Sequence, residues 1–295
     1  AIAELKRRGL RGHIMMDPAW HPKSAERAKK SAQIVEFLTW AAKTHGDFLK
    51  WYELGNEPDL PFFYAGPTDA YVEGYVPMYR AIKAQDPDSV VMNGGLCFHG
   101  KDGNRRAHEL VEKLPGDMVD AWAYHGHGPG ARAERTAWNR QDKAVRAVGK
   151  GDRDYIETES GLFANDPATW RRQAQTIVQK VVFAQSKGAP TFFWFNLHMG
   201  GGDWGYTTVE REHEPRPAVL AHRTMAKCLK GLQHAGELDL AARDAEAHLF
   251  AARDNRRALV LWSDRGEITR TVDVGPGCSR MKRVDLYGNV RDATQ

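Results

Sequence analysis

The 295 residues predict an α/β fold: a (β/α)8 barrel followed by a small antiparallel β-module. Three observations point there. Short apolar runs alternate with amphipathic stretches on a beat of roughly 30 to 40 residues, and alternation of that kind makes a parallel sheet with right-handed crossovers. No Gly-x-Gly-x-x-Gly and no phosphate-loop turn follows any strand, so an open nucleotide-binding sheet lacks its signature and the closed barrel fits better. After Gly231 the helical period stops, and strand-like runs separated by Asp-Asn, Gly-Pro-Gly and Gly-Asn turns take over.

The elements follow in order. Residues 1–9 read as the end of a helix closed by Gly9, and a strand over 11–18 (RGHIMMDP) leads to a long helix over 24–45 with Ser24 as N-cap. A strand over 48–59 (FLKWYELGNEPD) precedes a helix over 68–85 started by Thr68. The strand 89–95 precedes a helix over 105–114, 118–128 (MVDAWAYHGHG) one over 132–149, and 154–161 (DYIETESG) one over 167–187. The strand 191–198 (TFFWFNLH) runs into a glycine-rich stretch before a helix over 217–230 that Pro217 can open at its first turn. About six strand-helix beats result, where a whole barrel has eight. AHLFAAR, RALVLWSD, RTVDVG and RMKRVDLYG supply the β-module. The expected division is a barrel domain over 1–232 and a β-module over 233–295.

Composition narrows the function classes. A chain 42% hydrophobic and 27% charged has the balance of a globular protein, which excludes wholesale disorder. No apolar run approaches the ~18 residues that cross a bilayer, so no membrane span is expected. Lys and Arg number 42 against 38 Asp and Glu, and the basic doublets are scattered, so no nucleic-acid partner is expected. Cys97, Cys228 and Cys278 are odd in number and far apart, which gives no disulfide framework and no zinc knuckle. Oligomeric state has no signal here.

In a parallel barrel the chemistry sits where strands end. The strand over 48–59 ends in Leu54-Gly55-Asn56-Glu57-Pro58-Asp59. Pro58 biases Glu57 toward extended backbone, Gly55 allows close approach, and Asn56 sets a donor and an acceptor beside the carboxyl. The strand over 154–161 ends in Glu157-Thr158-Glu159-Ser160-Gly161, and a period of two points Glu157 and Glu159 the same way. Acids projecting into a barrel are costly to bury without partners, so at least one has a task. Glu157 reads equally as a structural carboxylate paired with a Lys or Arg. Two carboxyls across a water-poor cleft suit cleavage of a glycosidic bond, one protonated and one ionised.

With WYELGNEPD, YIETESG and FFWFNLH in place, and strands ending in NGG and AYHGHG between, the chain resembles the clan A glycoside hydrolases. Within the clan, GNEPD and EPRPAVLAHRTMAKCLKG most resemble the β-xylosidase and α-L-iduronidase family. The resemblance implies a retaining glycosidase with a carbohydrate substrate and no cofactor. It makes Glu57 the acid/base, Glu159 the nucleophile, Asn56 the ligand of the sugar 2-hydroxyl, and Trp194 the platform under the sugar. It also points to a strained peptide after Trp194, with a cis bond as one form of it. A secreted or periplasmic setting follows from the substrate class alone.

Two departures stand out. The clan has His-x-Tyr after its sixth strand, where this chain has His125-Gly126-His127, so His127 stands at the Tyr position. Aligned to the clan, the first strand here is the third, and the first two would lie before Ala1; the chain then reads as a fragment. Trp20, Tyr64, Trp204 and Tyr206 are further candidates to stack on sugars, whereas Trp122, Trp138 and Trp170 read as packing residues. Two rival readings remain. One is a metal-dependent hydrolase with His125, His127 and His198 as ligands and Asp17 and Asp203 nearby. The other is a barrel that binds carbohydrate without cleaving it.

Overall fold

The first part of the chain alternates α1 (Ile2–Arg7), β1 (Gly12–Met15), α2 (Ser24–His45), β2 (Leu49–Asn56), α3 (Thr68–Gln85), β3 (Val90–Gly95), α4 (Gly100–Lys113), β4 (Ala121–His125), α5 (Gly130–Ala147) and β5 (Asp154–Ser160). Then come α6 (Pro167–Ser186), β6 (Phe192–Trp194) and α7 (Pro217–Leu229), followed by β7 (Gln233–Glu237), β8 (Ala245–Ala251), β9 (Arg257–Ser263), β10 (Met281–Val284) and β11 (Val290–Ala293). These assignments come from a computed structural model that describes residues 2–20, 23–197, 207–209, 214–242, 244–267, 269, 271 and 281–293. β1 to β6 lie in one sheet in chain order, and β1 through β5 pair in parallel. This is a partial (β/α)8 barrel, with small antiparallel sheets after it.

Two compact units divide the chain: Ala1–Gly126 with Thr136–Glu159, and His127–Arg135 with Ser160–Gln295. In the first, α3 buries Tyr71, Tyr75, Met78 and Ile82, spaced four, three and four apart, which is one face of a helix. That face joins Leu54 from β2 and Trp122 from β4 in a core with no solvent access. Each such side chain contributes about 1.5–3 kcal/mol. α4 begins at Gly100, earlier than the expected 105, and Gly103 within it packs where a Cβ would stand 3.0 Å from Leu60 Cδ2. A small residue there serves close packing rather than a helix break.

In the second unit, α6 starts at a capping box, Asp166 accepting the Thr169 amide while the Thr169 side chain accepts the Asp166 amide, with Pro167 in the first turn. Ser24 and Thr68, by contrast, begin their helices as first-turn residues after Lys23 and Pro67. Pro217 opens α7 as expected. Val182 of α6 and Met225 and Leu229 of α7 enclose Phe250 of β8. Arg135 grips Glu246 with two hydrogen bonds of 3.1 and 2.7 Å. β7 has no counterpart in the sequence reading: its segment, Gln-His-Ala-Gly-Glu, lacks the β-branched run that marks a strand, and pairing with β8 makes it one. RTVDVG falls almost wholly outside the described residues.

Candidate active site

Glu57 stands one residue beyond β2 with φ at +45°, in the left-handed region. This corrects the extended conformation expected from Pro58: the proline biases the preceding residue, but a turn closed by Leu60 N–H donating to Glu57 O at 2.8 Å overrides the bias. Gly55, at φ +132°, lies where a Cβ would stand 3.3 Å from Gly94 Cα and 3.0 Å from the Tyr71 ring. Asn56 N–H donates to Asp17 Oδ1 at 2.7 Å, and Asn56 Oδ1 is buried with no hydrogen-bond partner among the described residues. A glutamate held at positive φ is the kind of strain that gathers at working sites.

His125, the last residue of β4, joins the two acids singled out by the sequence. Its Nδ1 lies 2.9 Å from Glu57 Oε1 and 3.9 Å from Glu159 Oε2, and its ring is wholly enclosed. Polar atoms of Glu57, His125 and Glu159 fall within 4.8 Å of one another. Both carboxylates keep some exposure, 9% for the Glu57 side chain and 19% for that of Glu159. The ring's other nitrogen, Nε2, faces Glu53 Oε1 at 3.4 Å.

Glu53, buried in β2, accepts from Gly95 N–H at 2.7 Å and from Thr158 Oγ1 at 2.9 Å, and His13 Nε2 sits 3.0 Å from its other oxygen. Burial alone would raise its pKa, but the imidazoles of His125 and His13 facing it draw it down to about 2. For His125, burial works against the charged ring, yet Cys97, Glu53 and Glu57 carry its pKa well above the ordinary range. Burial pushes the Cys97 thiol up to about 12, so it is not a thiolate nucleophile. Asp59 accepts the amides of Phe98 and Cys97 at 2.8 and 3.2 Å, and burial still lifts it to about 6.

The register of β4 against β5 slips by one: Tyr124 pairs with Glu157 and His125 with Glu159, leaving Thr158 as the extra residue. The strict alternation expected along β5 is therefore broken, and consecutive Thr158 and Glu159 reach the same cluster. Glu157 is fully buried, and its Oε1 accepts the Gly126 amide at 2.6 Å.

Other sequence candidates are placed differently. Trp194, partly buried, packs against Ala174 and Ile177 of α6 and Ala218 and Ala221 of α7. Tyr64 is buried, edge-on to Tyr71 at 5.6 Å. Trp20 is half-buried beside Tyr64, with the Arg27 guanidinium 5.4 Å from its ring centre. His127 meets Phe195 edge-on at 5.9 Å. The cis peptide is Phe195–Asn196, one bond beyond the peptide after Trp194. Trp204, Tyr206, His198 and Asp203 lie outside the described residues. Trp122 is fully buried, and Trp138 packs edge-on against Tyr155.

A metal could draw on Glu57, His125 and Glu159 by distance alone. The donor set fits poorly, because both nitrogens of the His125 ring already face carboxylates. Glu53, His13 and Thr158 were missed in the sequence. For Glu53 a signal existed: an acid within the apolar run WYELG must be paired if that strand is buried.

No protein-family model matches the chain, and no curated protein does. Solved structures do. A family 39 glycoside hydrolase from Bacteroides cellulosilyticus matches at TM-score 0.70 and 16% identity, over 99% of this chain and 67% of that one. An exo-β-1,4-mannosidase from an Opitutaceae bacterium matches at 0.56 and 17%, over 77% and 47%. A family 39 β-xylosidase from Caulobacter crescentus matches at 0.53 and 20%, over 79% and 52%. The chain thus spans about two thirds of the first and about half of the other two. The likeness is one of fold: the chain carries a partial (β/α)8 barrel of the kind found in these glycoside hydrolases.

Proposed function

We propose that the protein is a glycoside hydrolase that cleaves O-glycosidic bonds with retention of configuration. The observation that carries the reading is the approach of Glu57 and Glu159 to within 4.8 Å around one buried imidazole. Retaining enzymes hold their two carboxyls about 5–5.5 Å apart, whereas inverting enzymes need about 6.5–9.5 Å to admit a water. In this reading Glu57 protonates the departing oxygen while Glu159 attacks the anomeric carbon and forms a glycosyl ester. Glu57, now ionised, takes a proton from the water that cleaves the ester. Asn56, next to Glu57 and only part-buried as a residue, receives a sugar hydroxyl. The fold shared with glycoside hydrolases supports the substrate class.

The test is turnover of aryl glycosides followed by proton NMR of the first-formed anomer. Retained configuration is expected, and loss of turnover by at least ~10³-fold in Glu159→Gln. Glu57→Ala slows substrates with poor leaving groups far more than activated aryl glycosides, because only the former need the proton. Inversion, or equal losses on both substrate types, overturns the assignment; binding without turnover favours a carbohydrate-binding barrel.

A further inference from the structure

Glu53 is a buried acid reached from four neighbouring strands or their ends. Its carboxylate is contacted from β1 by His13 at 3.0 Å, from β3 by the Gly95 amide at 2.7 Å, from β4 by His125 at 3.4 Å and from β5 by Thr158 at 2.9 Å. It has 1% exposure, so it cannot itself meet a substrate. The His125 ring lies in the space that a side chain at Gly95 would fill: a Cβ there would stand 2.1 Å from its Nε2 and Cδ2. With Nε2 turned to Glu53, Nδ1 is left facing Glu57 at 2.9 Å.

We infer that Glu53 is a positioning residue for the candidate acid: by facing the far nitrogen of His125 it holds that ring with its near nitrogen aimed at Glu57. The inference rests on the reading of Glu57 as acid/base. The groups facing the pair are Glu57, Glu159 and Cys97 around His125, and His13, Thr158 and the more distant Asp17 and Tyr71 around Glu53. Three carboxylates in so small a volume repel one another, and the imidazolium between them offsets that repulsion. A neutral ring would leave Glu57 and Glu159 facing each other without a cation.

The sign of the effect separates this role from a merely structural one. In Glu53→Gln the amide keeps the shape but no longer favours a charged neighbour. His125 then loses its proton before Glu57 does, so Glu57 holds its own proton longer. The alkaline limb of kcat/KM moves to higher pH, by about one unit or more. Were His125 to stay charged without Glu53, removing one negative charge would move that limb to lower pH; an unchanged or lowered limb overturns the proposal.

The ring's charge is also read directly, by NMR of ring-labelled histidine, with the His125 signal identified by its loss in His125→Asn. In the unaltered protein this ring stays doubly protonated well above the ordinary histidine range, and in Glu53→Gln it titrates lower. A ring in the unaltered protein that titrates at the ordinary 6.5 overturns the inference even if Glu53→Gln fails to fold. Because this readout needs no substrate, a protein that hydrolyses no glycoside refutes the proposed function while leaving the role of Glu53 to be decided by the ring.

Discussion

His125 Nδ1 stands 2.9 Å from Glu57 Oε1, although 68 positions separate the two residues in the chain. The contact depends on an unusual backbone: Glu57 sits at φ +45°, where a side chain is disfavoured. A left-handed residue bearing a Cβ costs roughly 1–2 kcal/mol, so replacing Glu57 separates the carboxyl from the strain. Glu57→Gly and Glu57→Ala both remove the acid, but the glycine variant is expected to be the more stable by about 1 kcal/mol in urea unfolding. Equal stabilities mean that the turn relaxes when the carboxyl leaves.

Asp59 predicts a pH dependence of stability. Its pKa is raised from 3.8 to about 6 in the folded protein, so between those values the native state holds a proton that the unfolded chain has released. Stability from this group is fully present below 3.8 and is lost as pH rises through about 6. The loss is on the order of 3 kcal/mol, measured as the fall in unfolding free energy between acid and neutral buffer. Asp59→Asn flattens that window. An identical slope in the variant assigns the titration elsewhere.

In the second unit, Lys180 is fully buried, donates to Ser160 Oγ at 2.7 Å and lies 3.7 Å from buried Glu134. Lys180→Met leaves the Glu134 charge without that cation and is expected to cost about 3–5 kcal/mol by denaturant titration. Adding Glu134→Gln to the same chain recovers a large part of the loss. A double variant as unstable as the single one shows that the cavity, and not the stranded charge, sets the cost.

Gly95→Ala tests the packing around His125. A Cβ there would stand 2.1 Å from the imidazole and force it to shift, so the variant is destabilised by about 1–3 kcal/mol and His125 is displaced from Glu57. Thermal unfolding and the His125 ring signal read the two effects separately. A variant with native stability and an unmoved ring refutes the fit.

Much of the fold was legible in the chain because helices and strands are written in local periodicity. The helix over 68–85 is recovered to the residue as α3, and the acids at the ends of β2 and β5 stand out because Gly-Asn-Glu-Pro and Glu-Ser-Gly break apolar runs. β7 stayed hidden because a polar pentapeptide becomes a strand only through its partner. The packing partners of Trp194 and Tyr64 were not legible, because facing is decided by neighbouring elements.

The chain by itself determined the order of its elements and which polar groups end its strands, since those follow from side-chain spacing and from proline and glycine. The tertiary structure alone decided that Glu53, His13 and Thr158 form the ground beneath His125, and that one ring touches both candidate acids. Those contacts come from the one-residue slip between β4 and β5, and from parallel strands that bring together side chains far apart in sequence.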